Sequence, residues 1–337
     1  MAQDELTAAM KKLATISILL LSALYLCNAQ DGGRWSEGTS AESFSLMKER
    51  KTVRTPEATY HYTGVTGSLL SGNTLITRDS MTEQELQSVK GDLDIMEFFA
   101  LLYQDLILFR TRRDIPLEQF YTARFQDAYA AAHRTGDYTK YPLPEEPFDI
   151  TKVSFITGER FYGASAGLFA SQPFGDQERL LYPTGGITAE FETGKGRNTF
   201  LAEVSYGIGF RKLQLYGLSE RPVPYLSAFA FYGREILRAG SWELSIYGGP
   251  GWSSRRFDHM YHNPVAVGGP ALSEGVSADL HIRRDYYFNC SHPHRTDTFL
   301  RLKLASVQTY NIALGTVIPA VSLSAGIHFR NNNIYRR

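Results

Sequence analysis

Phe200-Leu201-Ala202-Glu203-Val204-Ser205-Tyr206-Gly207-Ile208-Gly209-Phe210 is the stretch whose reading decides the fold. Its even positions are Phe200, Ala202, Val204, Tyr206, Ile208 and Phe210, and its odd positions include Glu203, Ser205 and two glycines. Successive side chains of a strand point to opposite faces, so this alternation puts one face in an apolar medium and the other in a polar one. Val276, Ala278, Leu280 and Ile282 alternate in the same way with Ser277, Asp279, His281 and Arg283, as do Leu300, Leu302 and Leu304 with Arg301 and Lys303. The pattern recurs eight times, at 161–171, 184–193, 199–210, 223–234, 241–252, 275–283, 297–308 and 319–329. Each segment is about the ten residues that a tilted strand needs to cross a bilayer.

An even number of strands suits a closed antiparallel barrel with both ends on one side. The connections support it. Segments 172–183, 211–222 and 253–274 are long, and 194–198 and 235–240 are short, as outer loops and inner turns are. Segment 284–296 breaks the rhythm: either the strand limits differ there or that turn carries something. The fold class expected is therefore mainly β, an eight-stranded antiparallel transmembrane β-barrel preceded by a short α-helical hairpin.

Of 337 residues, 35 are acidic and 35 basic, so no bulk charge draws the chain to nucleic acid. The 20 Tyr, 20 Phe and 29 Gly fit apolar residues dispersed along strands. Residues 1–29 read as a signal peptide: Met10-Lys11-Lys12 supplies the positive start, Leu13 to Leu26 the apolar core, and Ala29 the small residue at the cut. The acidic residues ahead of Met10 make Met10 a candidate start. Leu24, Tyr25 and Leu26 before Cys27 do not form a lipobox, and cleavage at Ala29 leaves Cys290 as the single mature cysteine. Residues 30–80 read as a polar arm with short β pieces, 81–150 as a periplasmic helical hairpin and linker, 151–330 as the barrel, and 331–337 as a C-terminal tail.

Thr82-Glu83-Gln84-Glu85 has the capping-box form of a helix start. Behind it Leu86, Val89, Leu93, Met96, Ala100, Tyr103 and Ile107 share one face. Asp114 and Pro116 open a second helix, with Leu117, Tyr121, Phe125, Ala128 and Ala132 as its stripe and Gly136 as its stop. Glu97, Gln104 and Asp105 interrupt the apolar run between Ile95 and Phe109, which points to packing in protein over a membrane span. Two helices alone make a meagre core. Phe98, Phe99, Leu102 and Tyr121 are accordingly the residues expected to meet the barrel rim or a periplasmic envelope partner.

The half from Phe161 to Phe329 resembles the small eight-stranded outer-membrane barrels, the OmpA/OmpX-like group, including the final strand Val321-Ser322-Leu323-Ser324-Ala325-Gly326-Ile327-His328-Phe329 with its closing aromatic. The resemblance implies residence in outer-membrane lipid and a last strand similar to the signal read by barrel-assembly machinery. It is one of pattern and names no activity. Arg330 to Arg337 and the helical hairpin depart from the simplest members.

So small a barrel is filled by its own side chains. Its interior is expected to hold Glu190, Glu203, Glu243 and Asp279, with Glu192, against Arg283, Arg301 and Lys303, in structural pairs, because an isolated buried charge is very costly. His259 and His262 fall in one outer loop and Cys290, His292 and His294 at the opposite end, so a shared metal site is not expected. Ser291 beside His292 has no orienting acid, and Gly194-Lys195-Gly196 is explained by a hairpin turn. No catalytic residue, cofactor, metal or small-molecule substrate is identified. The leading functional reading is a non-enzymatic barrel anchoring a periplasmic docking segment in an envelope, secretion or conjugation assembly. The alternatives are a surface-binding or adhesion barrel acting through outer-loop residues such as Phe257 and Tyr261, and, further off, a lipid-modifying enzyme.

Overall fold

In a computed structural model of the chain, the residues described are 42–71, 74–76, 82–109, 115–175, 183–210, 222–257, 265–288, 292–312 and 315–337. The signal-peptide segment, Cys27, His259, Tyr261, His262, Cys290 and Ser291 lie outside them. Each of the eight alternating segments forms a strand: β4 (Phe155–Pro173), β5 (Thr184–Lys195), β6 (Asn198–Phe210), β7 (Pro222–Ala239), β8 (Trp242–Phe257), β9 (Val265–Tyr287), β10 (His294–Asn311) and β11 (Thr316–Arg336). Every strand pairs antiparallel with the next, and β11 pairs back onto β4. The ring is closed, so the barrel has no free edge. Gly196 and Gly240 sit in the two short inner turns with φ of 60° and 58°, the left-handed region that favours glycine.

The outward face is apolar and uncovered. Leu168 is 68% exposed and Phe200 61%, and Val204, Leu226, Trp252, Val276, Leu304 and Leu323 stand out with them. A water-soluble monomer does not present so continuous an apolar belt, whereas a bilayer requires one.

Four of the eight strands run on past the inner rim. β9 has 23 residues, β11 21 and β4 19, against 12 for β5 and 13 for β6. This corrects two sequence expectations. Residues 331–336 are not a tail but the end of β11, with Tyr335 opposite Ile156 on β4. The long 284–296 connection is mostly strand as well, since Arg284 faces Asp297 and Tyr287 faces His294. Beyond the bilayer a strand no longer needs an outward apolar face, so its alternation lapses and its residues read as loop.

The inner ends of these strands carry a second structural unit. β8 starts at Trp242, opposite Leu280, and beyond one further bond, from the His281 amide to the Ser241 carbonyl, it leaves the edge of β9 open. β2 (Thr59–Ser71) takes that edge, pairing in parallel from Thr59–His61 to Asp285–Tyr287, and the Phe288 amide donates to the His61 carbonyl at 2.8 Å. β1 (Glu42–Arg54) pairs with β2 along its whole length, and β3 (Thr74–Ile76) adds three residues. The expected polar arm is therefore a 13-residue hairpin strand where it spans 42–54. Its charges hid it: Lys48, Glu49, Arg50 and Lys51 give no apolar face, but charged side chains are common on a strand that stands at a sheet edge.

α1 (Glu83–Leu108) and α2 (Ile115–Thr135) follow the expected bounds closely. The Glu85 carboxylate accepts from the Thr82 amide at 3.0 Å at the start of α1, and Gly136, with φ of 64°, ends α2. α1 lies on β2. Gln104, buried, accepts from the Val65 amide and donates to the Thr63 carbonyl, both at 2.7 Å, and so satisfies the β2 edge that β9 does not reach. Gly67 lets the helix come this near, since a Cβ there would stand 3.0 Å from the Met96 carbonyl oxygen.

Candidate functional site

Two places carry chemistry: the barrel lumen, and the junction where the inner strand ends meet the hairpin and helices. In the inner half of the lumen buried charges form one connected network. The Arg301 guanidinium donates twice to Asp279, from Nε and Nη2 at 2.8 Å each, and at 3.0 Å to both Glu190 and Glu192. Lys303 donates to Glu190 at 2.7 Å and to Glu203, with its ammonium 4.6 Å from the Tyr247 ring centroid. His328 Nε2 meets Glu192 at 2.7 Å, and Arg330 reaches Glu192 at 3.1 Å and Glu243 at 2.6 Å. Arg301, Lys303 and Arg330 each have at least two carboxylates, and this is what makes buried charge tolerable here. The network ties β5, β6, β8, β9, β10 and β11 together across the lumen.

Of the residues expected inside, Glu190, Glu203, Glu243, Asp279, Arg301 and Lys303 lie in this network. Arg283 does not. It is 53% exposed at its side chain and pairs with Asp285, at 3.0 Å from Nε and 2.7 Å from Nη2. The cause is a β-bulge: β10 residues Thr298 and Phe299 face Arg283 and His281, so Ile282 has no partner. One extra residue exchanges the two faces below it. Arg284, on the inner face there, donates to Asp297 at 2.7 Å, and Asp297 also takes Arg295 at 2.9 Å and His281 at 3.2 Å. His328 and Arg330 were missed by sequence reasoning, although both share parity with Ser322, Ser324 and Gly326 in a strand whose odd positions are apolar.

At the junction, apolar side chains from all parties converge. Tyr62 of β2, Leu108 of α1, Ile150 of the linker, Phe288 and Ile334 form one buried cluster, with Phe155, Tyr286 and Phe148 packed on it. On the other face of the strand ends, His61 stacks on Tyr287 at 4.6 Å and Tyr287 on His294 at 5.0 Å. Burial alone would push the Asp285 carboxyl up, but hydrogen bonds from His61 and Arg283 outweigh it and hold the group below the usual carboxylate range. Burial lowers the His294 ring, whose Nδ1 donates to the His292 carbonyl at 3.0 Å.

Three solved structures resemble the chain. The attachment invasion locus protein Ail of Yersinia pestis, solved in complex with the heparin analogue sucrose octasulfate, matches at 12% identity over 51% of this chain and 99% of its own, with a TM-score of 0.36. Neisserial surface protein A matches at 11% identity, 51% and 97% coverage and 0.30. OprG, an outer membrane protein of Pseudomonas aeruginosa, matches at 8%, 55% and 100%, and 0.30. No protein-family model and no curated protein matches the sequence. Each of these structures is covered almost completely, while about half of this chain has no counterpart in them. Likeness at this level transfers neither ligand nor activity.

The residues expected to meet a partner lie in the helical part of the added unit. Phe98 packs edge-on against Phe99 and Tyr141, at 5.6 Å each, and Phe99 against Phe125 of α2 at 5.5 Å. Leu93, Ile95, Met96, Phe125 and Ala132 form the buried cluster beneath them. Leu102 is 43% exposed, and the Tyr121 side chain lies outside the described residues. The stripes thus close largely on each other and on β2, with Leu102 at their open edge. Among the described residues no group of His, Cys, Asp and Glu has the arrangement of a metal site.

Proposed function

We propose that the chain is a non-enzymatic outer-membrane protein whose barrel holds a periplasmic docking unit for another envelope protein. The observation that carries this is the continuity of β9, β10, β11 and β4 from the lipid belt into the sheet that supports β2 and α1. Anchorage alone needs no such extension; a rigid arm that presents a helix at fixed height and angle does. Strand-borne sites hold geometry better than looped ones, which suits recognition of a folded partner. Contact with outer-membrane lipid belongs to the same reading.

Leu102 is the best probe because it is exposed beside a packed aromatic cluster. A photoreactive residue at 102 should crosslink a periplasmic protein in intact cells, and Leu102→Asp in a second variant should weaken co-purification of that same protein at least fivefold while the barrel stays folded. Crosslinks confined to the chain itself would sink the docking reading.

A further inference from the structure

The outer half of the lumen contains a cation for which the inner network offers no parallel. Arg255 on β8 is only 5% exposed and faces inward, on the same side as Ser253. Its guanidinium lies over the ring of Tyr225, 5.1 Å from the centroid, and Tyr225 is its direct cross-strand neighbour on β7. Nε makes no hydrogen bond, and among the described residues no carboxylate pairs with Arg255. Among the described residues the polar groups of this part of the lumen are neutral: Ser171, Thr184, Ser227, Ser253, Thr309 and Asn311 are all buried. The Ser171 hydroxyl has no partner, and Ser253 and Thr309 bond each other at 3.0 Å. Tyr247, where the Lys303 and Glu203 pair begins, lies eight residues deeper on the same strand. Glu203, which faces Phe229 and through it Gly251, stands four residues or about 13 Å along the strand from Arg255, and no ion pair joins the two.

An arginine in so buried a place needs a counter-charge, and the inner half of this same lumen shows what the chain does when it supplies one itself. Arg255 lies two residues from the outer end of β8. We infer that Arg255, with the face of Tyr225 and the hydroxyls beside it, forms an outward-opening site for an oxyanion group, a phosphate or carboxylate carried by a molecule outside the cell. The planar guanidinium fork matches either group with two parallel hydrogen bonds, and the free Nε side is the donor such a pairing uses. The Tyr225 ring fixes the guanidinium plane in advance, so little rotamer freedom remains to be lost on binding. The hydroxyls can turn to donate.

This proposal is independent of the periplasmic docking reading, because it concerns the opposite end of the barrel. It is tested with full-length protein in detergent micelles, by thermal unfolding in inorganic phosphate against sodium chloride at equal ionic strength. Phosphate should raise the midpoint of wild type, and Arg255→Met should need at least tenfold more phosphate for the same rise. Arg255→Lys should fall between them, since it keeps the charge and loses the fork. Arg256→Met, the neighbour on the outward face, should leave the phosphate response unchanged. Each variant is first shown to be folded by its faster mobility before boiling. Binding of vesicles with and without phosphorylated glycolipid then separates a lipid-borne phosphate from a free one: loss of vesicle binding in Arg255→Met assigns the former, and retained vesicle binding with a lost phosphate response assigns the latter. No phosphate or acetate response in wild type, or an equal response in Arg255→Met, overturns the site.

Discussion

The two halves of the lumen treat buried cations in opposite ways. In the inner half Arg301, Lys303 and Arg330 each touch two or more carboxylates, while in the outer half Arg255 touches an aromatic face and no carboxylate among the described residues. Both halves belong to one closed sheet, so the difference lies in side chains. A saturated cation joins strands to one another; an unsaturated one is available to something else. The inner half is therefore read as the staple of the barrel, and the outer half as its receptive end.

The sharpest way to break that comparison is to remove one cation from each half. Arg301→Met takes from Glu190, Glu192 and Asp279 the one cation that all three share, and should cost about 3–5 kcal/mol of stability. Arg255→Met removes a buried charge that no carboxylate among the described residues pairs, and should leave stability in anion-free buffer unchanged or raised. Urea unfolding in micelles measures both, and equal losses would erase the distinction between the halves.

A smaller effect sharpens the contrast between lumen and lipid face. Val204 is outward and lies six residues above the inner turn of β6, so Val204→Arg sets a charge deep in the belt and should cost about 2–4 kcal/mol. Leu280 alternates with Asp279 as well as Val204 does with Glu203, but it pairs with Trp242, the first residue of β8, and so lies near the inner rim. Leu280→Arg should cost only about 0–1 kcal/mol, because the penalty falls towards the interface. Refolding equilibria in lipid vesicles would show the difference, and equal costs would mean that the belt is set at the wrong height.

Legibility in the sequence followed the environment of each segment. All eight strands could be read because lipid on one side and a polar lumen on the other impose strict alternation, as Phe200 to Phe210 shows. The same rule identified Glu190, Glu203, Asp279, Arg301 and Lys303 as inward. It failed below the rim, where β9 to Tyr287 and β11 to Arg336 meet protein and water on their faces and alternation is no longer required. It failed at Arg283 because the unpaired Ile282 leaves no mark in composition, only in pairing. The hairpin of β1 and β2 was hidden for a third reason: its partner edge lies more than 200 residues away, on β9, and exists only because β8 begins late. The helices were legible from caps and stripes, yet what they cover was not, since Gln104 on the edge of β2 looks from sequence like a polar interruption.

A closed barrel in the outer membrane with a periplasmic unit built on its strand ends makes a direct physical demand on where the chain sits and how it unfolds. Fractionation of cells followed by electrophoresis with and without boiling tests it most directly, when outer-membrane samples are also treated with protease from the periplasmic side. The expected result is a chain in the outer-membrane fraction that migrates faster unboiled than boiled, and a protected fragment that keeps residues 155–336 after the α1 and α2 region is cut. Recovery of the mature chain as a soluble periplasmic protein, with no change of mobility on boiling, would contradict it.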